Sequence, residues 1–290
     1  MEPHWDDLQT VLCLVRCGSL AGAAAELGVN YTTVSRRITR AETALGVALF
    51  DRLTDGYRPT EAGQTVATFA ARMELDAHAL IRQLHGLNDS LSGPLTITAP
   101  QLLIAHVLGP VIDQFCTAYP DVRLHVRATN DLLDLNRRQA DLAIRISRDP
   151  GDTLMGLRLT AQHSASFAHA DWAAQIAEDP QKMIDWLVYA AYNSVPGQVD
   201  PQYPHHRVRM TFDDMVAIQG AAQAGLGVAR MPMFLGRACG LTQVPVLPPQ
   251  PYADIWVVGH RDVWPSAKVK AFRDILIPYF RQTKDRFTAG

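Results

Sequence analysis

Between Tyr31 and Leu45 the chain places hydroxyls and guanidinium groups together on one side of a helical period. At about 100° per residue, Val34, Ile38, Ala41 and Leu45 form an apolar stripe. The opposite side carries Thr32, Ser35, Arg36, Thr39 and Arg40, flanked by Thr33 and Arg37, with no carboxylate before Glu42. Short hydroxyls and forked donors near a helix N-terminus are the chemistry that reads base edges in the major groove of double-stranded DNA. A plain solvated helix face uses the same residue types, so the surrounding elements must decide.

Those elements are short. Leu8, Val11, Leu12, Leu14 and Val15 recur at helical spacing and Gly18 stops that helix. Ser19 caps a second helix, Leu20 to Leu27, made almost wholly of small residues that let a third pack closely across it. The turn Gly28-Val29-Asn30 leads into the third, giving a helix-turn-helix. Residues 47–60 read as a hairpin with Asp55-Gly56 at its turn, a wing whose Arg52 and Arg58 reach backbone or minor groove. From Val29 to Arg58 there are five arginines against three acids, so the whole-chain charge of −2 hides a local excess.

Four ordered segments carry a resemblance: Ser19-Leu20-Ala21-x-Ala23-Ala24-x-x-Leu27; Thr33-Val34-Ser35-Arg36-Arg37-Ile38; Leu45-Gly46-Val47-x-Leu49-Phe50-Asp51-Arg52; and Thr60-Glu61-Ala62-Gly63. Together they resemble the LysR-type transcriptional regulators. The resemblance implies a winged helix-turn-helix whose third helix reads an operator, with Thr32, Thr33, Ser35, Arg36 and Arg37 at the DNA and Arg52 and Arg58 on the wing. Tyr31 replaces the glutamine or proline of many members, and Pro59 an aliphatic residue, which bears on operator sequence and wing shape.

A glycine-free helix follows from Gln64 to about His85. Val66, Ala70, Met73, Ala77, Leu80, Leu84 and Leu87 alternate spacings of 4 and 3, the a and d positions of a coiled-coil seam. A helix packed on its own domain shows the same stripe. The narrow seam, with Arg72, Glu74, Asp76 and Arg82 off it, favours pairing with a second copy. The resemblance implies dimers through this helix and tetramers from pairs of dimers, with RNA polymerase as a further partner.

Residues 88–94 are a polar break. Beyond it strands (95–98, 122–126, 141–146, 226–230, 255–258) alternate with helices (102–119, 132–139, 211–224, 267–280), which implies parallel sheet covered on both faces. Thr211-x-x-Asp214 is a capping box. Ligands of such sheets sit beyond strand C-termini, against helix starts, which nominates Pro100, Gln101 and Leu102, then Thr129 and Asn130, then Phe212 and Asp213. Tyr119-Pro120-Asp121-Val122, Asp141 to Ile146 and Met215 to Pro232 resemble the regulators' effector domain, a two-lobed α/β fold of the periplasmic-binding-protein type. The implied layout is a DNA-binding domain over 1–60, a linker helix over 61–91 and an effector domain over 92–290. Lobe one covers 92–160 and 265–290, and lobe two 161–264. Leu102 and Leu103 stand where members often offer a hydroxyl, so a more apolar effector enters consideration. Arg230 is either an anion partner or a surface or interlobe charge.

Enzyme chemistry finds no foothold. There is no Gly-x-Ser-x-Gly and no phosphate loop, and Gly225-Leu226-Gly227 lacks a third glycine. His205-His206 follows Pro204 in an exposed loop without metal-ligand partners. Cys13 and Cys17 share a helix face as small hydrophobes, and Cys116 is expected to pack. No cofactor or metal is implied. The 290 residues suit about two domains on a prior of roughly 150 residues each. An acidic start without an apolar run and no span of about 20 apolar residues lead to the expectation of a cytoplasmic protein without membrane contact. A ligand-free architectural DNA-binding protein and a plain solute-binding protein are the competing readings.

Overall fold

The computed structural model describes residues 2–53, 56–86, 90–129, 140–149 and 154–289, without the side chains of 78, 79 and 81–86. The expected helix over 132–139 and the candidate Asn130 lie outside the described residues, as do Asp55 and the side chain of Leu84. The chain forms two units, one ending at Leu84 and one beginning at His85.

In the N-terminal unit, α1 (Trp5–Cys17), α2 (Leu20–Leu27) and α3 (Tyr31–Leu45) precede a hairpin, β1 (Phe50–Leu53) and β2 (Gly56–Pro59), and a long helix, α4 (Glu61–Gly86). Ser19 Oγ accepts from Gly22 N–H to start α2, and Gly18 and Gly28, at φ +67° and +65°, end α1 and α2 in the left-handed region that glycine tolerates. Val34, Ile38 and Ala41 of α3 are buried against Val11, Leu14 and Ala23 as their spacing predicts, whereas Leu45 remains exposed. The β1–β2 register pairs Leu53 with Gly56, so Gly56 opens the returning strand instead of sitting in the turn.

Helix α4 belongs to this unit through its first half. Ala67 and Ala70 are buried with Leu12, beside Trp5 and Leu8 of α1. Arg16 and Glu74 close an ion pair at 2.8 Å further along the same face. A Cβ added to Gly63 would stand 2.0 Å from the Leu49 carbonyl oxygen, so only glycine fits there. The division expected at residue 60 therefore falls inside one packed unit.

The C-terminal unit has two lobes. The first sheet runs in the order β4-β3-β5-β13-β6: β3 (Gly93–Ala99), β4 (Val122–Ala128), β5 (Leu142–Ser147), β6 (Met155–Thr160) and, from much later in the chain, β13 (Asp254–Gly259). Between β3 and β4 lie α5 (Gln101–Leu103), a π turn (Ile104–Leu108) and α6 (Gly109–Ala118). The second sheet runs β11-β7-β10-β8-β9, from β7 (His163–Ala168), β8 (Ile184–Tyr189), β9 (His206–Phe212), β10 (Val228–Pro232) and β11 (Thr242–Val244), with β12 (Gln250–Pro251) also on β7. Helices α7 (Ala170–Glu178), α8 (Met215–Gln223) and α9 (Met233–Ala238) belong to this lobe, and α10 (Ala267–Gln282) returns to the first. Phe272 of α10 meets Phe115 of α6 edge-on, ring centroids 5.1 Å apart.

Three expectations change. Both sheets are mixed: β13 is antiparallel to β5 and β6, and β10 to β7. Lobe two ends before β13 and does not extend to residue 264, because β13 lies inside the first sheet. Thr211 is a strand residue; Asp214 alone caps α8, accepting from Val216 N–H at 2.7 Å and from Ala217 N–H at 3.1 Å. No helix among the described residues is long and apolar enough to cross a membrane.

Candidate DNA-reading face and effector cavity

The three-helix packing sets the polar side of α3 outward. Tyr31, Thr32, Arg36, Thr39 and Arg40 are exposed, and Thr33, Ser35 and Arg37 half-buried. The arginines differ in their partners. Arg40 Nε donates to Asp7 Oδ2 at 2.7 Å, and Asp7 is fully buried; this bond raises the guanidinium pKa above its ordinary value. Arg37 reaches Asp6 at 3.0 Å. Both therefore tie α3 to α1, Arg40 while its side chain remains 45% exposed. Arg36 makes no ion pair among the described residues and is exposed. Glu42, where the polar face ends, accepts from Leu49 N–H at 2.8 Å and orients the wing. On the hairpin Asp51 stands opposite Arg58 and Arg52 opposite Tyr57, with both arginines exposed.

The proposed pairing residues divide. Val66 packs partly on the unit's own core, and Ala70 is buried against α1. Met73, Ala77 and Leu80 are exposed. Phe69, 57% exposed, joins them on one side of α4. Its helical position beside Met73 could have signalled this.

The nominated effector residues do not gather at one place. Pro100 and Gln101 lie beside Thr129 at the ends of parallel strands β3 and β4, where Thr129 N–H donates to Ala99 O at 3.1 Å. Leu102 packs on the core, and Phe212 ends β9. Arg230 alone of the nominated set lines a cavity of about 210 Å³ in the C-terminal unit. That cavity is built by β8, β10, α8 and residues 194–197 of the second lobe, with Arg148 from the end of β5 and Tyr252 from beside the interlobe crossing. Arg230 Nε donates to Ser164 Oγ at 2.9 Å and its guanidinium lies 5.8 Å from the Tyr252 ring centroid. Burial pushes the Tyr252 phenol up, so it stays a neutral donor at physiological pH. Tyr189, Tyr192 and Tyr252 are absent from the sequence-based set; the first two are three residues apart and the third is sixty residues later, with no motif to link them.

Cys13 lies beside Cys17 and Glu26, their sulfur and carboxylate atoms all within 4.8 Å of one another. Cys13 is buried, bonds to Ala23 O at 3.8 Å, and burial pushes its thiol up to about 12, away from thiolate chemistry. Cys116 is exposed on α6, contrary to expectation. His206 sits on β9 and accepts from Trp186 Nε1 at 3.1 Å, so it is not part of an exposed loop.

A family model for the bacterial regulatory helix-turn-helix protein of the lysR family matches residues 5–64, and one for the LysR substrate binding domain matches 88–281. The Mau operon transcriptional activator of Paracoccus denitrificans is 31% identical over 238 residues, 80% of each chain. Among solved structures, the Vibrio cholerae virulence activator AphB superposes with a TM-score of 0.60 at 21% identity, covering 96% of this chain and 99% of that one. CrgA from Neisseria meningitidis gives 0.57 at 21% identity, covering 95% and 98%. The last two show the fold; the matched families also fix what kind of protein this is. The chain belongs to the LysR family of DNA-binding transcriptional regulators, with an N-terminal helix-turn-helix and a C-terminal effector-binding domain.

Proposed function

We propose that this regulator binds a dyad operator as a dimer, with α3 in successive major grooves and the β1–β2 wing on the flanking backbone. The observation that carries this reading is the division of labour on α3: Arg37 and Arg40 are tied to Asp6 and Asp7, while Arg36 is exposed beside Thr32, Thr33 and Ser35 with no ion pair among the described residues. A helix so braced presents a fixed row of donors, which base recognition needs. Two copies paired along the exposed stripe of α4 would set the half-site spacing, and two dimers would form the tetramer. The cavity of the C-terminal unit would hold a small effector and bias the relative position of the lobes. RNA polymerase is the further partner of this reading.

Footprinting of the full chain on the DNA flanking its own gene tests the reading; a protected dyad is expected, and protection without sequence preference would refute it. Arg36→Ala should lower affinity for that site by about 1–3 kcal/mol and relax preference at one base pair. Arg52→Ala should weaken specific and random DNA alike and reduce the salt dependence. Equal losses on both DNAs for Arg36→Ala would remove that residue from base reading.

A further inference from the structure

The effector cavity has an unusual electrical character. Arg148 enters it from the first lobe and Arg230 from the second, and among the described residues no aspartate or glutamate lines it. Arg230 is held still by Ser164 and Tyr252, contacts that use Nε and the guanidinium plane and leave both Nη groups directed elsewhere. Tyr252 lies within electrostatic reach of Arg148, Arg230, Tyr189 and Tyr192, so two cations and three phenols converge at one end. Leu187, Met215 and Ile218 supply apolar wall. The loop bounding the cavity begins and ends on left-handed non-glycine residues, Asn193 at φ +40° and Gln198 at +62°, conformations that cluster at ligand clamps.

We propose that the effector is a small organic monocarboxylate with a flat apolar body, its carboxylate held between Arg230 and Arg148 and its body against the tyrosines. The proposal rests on the cavity being the effector site and adds the chemistry of its occupant. A guanidinium takes a carboxylate through paired, charge-assisted hydrogen bonds. Phenol rings offer both an apolar face and a donor tip. The cavity of about 210 Å³ has room for about seven waters at roughly 30 Å³ each, the size of a single-ring acid. Inorganic phosphate would leave the apolar wall facing water. Because the two arginines come from different lobes, a bridging carboxylate draws the lobes together, which an uncharged molecule of the same shape does not.

The test uses the full-length protein, with calorimetry and thermal unfolding in the presence of benzoate, phenylacetate, benzamide, acetate or inorganic phosphate at equal concentration and ionic strength. Benzoate or phenylacetate should bind once per chain and raise Tm, and the other three should bind at least tenfold more weakly. Arg230→Met and Arg148→Met should each weaken the aromatic acid at least tenfold. Should Arg230→Met fail to fold, Ser164→Ala, which only releases Nε, should still weaken it severalfold. Benzamide binding as well as benzoate, with Leu187→Ala and Met215→Ala weakening both, overturns the carboxylate proposal and leaves the cavity as effector site. Binding that survives both arginine variants and both wall variants overturns the two together. No binding of either aromatic acid overturns the proposal.

Discussion

Replacing Phe69 by alanine should weaken self-association without unfolding the protein. Full burial of a phenylalanine or leucine side chain is worth about 1.5–3 kcal/mol. Phe69 is 57% exposed, so about 0.9–1.7 kcal/mol per copy remains to be gained when a second α4 covers it. A two-fold interface contains the residue twice. The expected loss is then about 1.7–3.4 kcal/mol, or about 20- to 300-fold in the dimer dissociation constant. Sedimentation equilibrium of the full chain over a dilution series measures it. Leu80, 58% exposed on the same stripe, should give a similar loss on Leu80→Ala. Leu75 is the control: it is 39% exposed but lies on the far side of the helix, so Leu75→Ala should leave the dimer intact. A dissociation midpoint unmoved by Phe69→Ala, or moved equally by Leu75→Ala, would refute the pairing face.

Two further outcomes concern stability. Hydrogen bonds from Arg207, with Arg209 nearby, hold the Asp185 carboxyl below the usual carboxylate range in the folded state. That stabilisation is full above about pH 4 and is lost as pH falls through the folded value. The Tm penalty of Arg207→Gln should therefore be large near neutrality and shrink in acid; a penalty independent of pH would refute the linkage. Gly63→Ala puts a methyl 2.0 Å from the Leu49 carbonyl and should destabilise the N-terminal unit by about 1–3 kcal/mol. An unchanged thermal transition would show that α4 can yield there at no cost.

What could be read in advance follows from how local each signal is. The buried stripe of α3 was legible because Val34, Ile38 and Ala41 meet one neighbouring surface, and periodicity encodes that directly. Spacing alone gave Arg36, Arg37 and Arg40 the same standing. Their difference lies in Asp6 and Asp7, more than thirty residues earlier, which only the crossing of α1 and α3 brings near. The stripe on α4 was continuous in sequence but divides between a buried and an exposed part. Ala70 turns to α1, while Met73 and Leu80 stay open, and no heptad distinguishes a neighbour in the same chain from one in another. Apart from Arg230, the lining of the cavity was not legible, for a related reason. Rules for open α/β sheets point to helix starts after strands, whereas this cavity takes Arg230 from within β10, Arg148 from just past β5, and its rings from the end of β8 and the segments beyond β8 and β12, joined only by the tertiary fold.

The placement of β13 has a consequence for how the protein is made. The second lobe's sheet is formed from one uninterrupted stretch, His163 to Pro251. The first lobe begins earlier in the chain, yet β13 must slot between β5 and β6, and Phe272 and Phe280 of α10 must enter its core. As a chain emerges N-terminus first, the lobe that is started first is therefore completed last, after the other has all its strands. Until then β5 and β6 each lack a neighbour, and unpaired strand edges of that kind invite aggregation. Shortening the chain by its last helix would thus remove the centre of a lobe, not a tail. The second lobe has all its strands upstream, but it too receives its last cover from the chain end, where Phe287 packs on Phe234 and Arg237 donates to the Asp285 carbonyl at 2.7 Å.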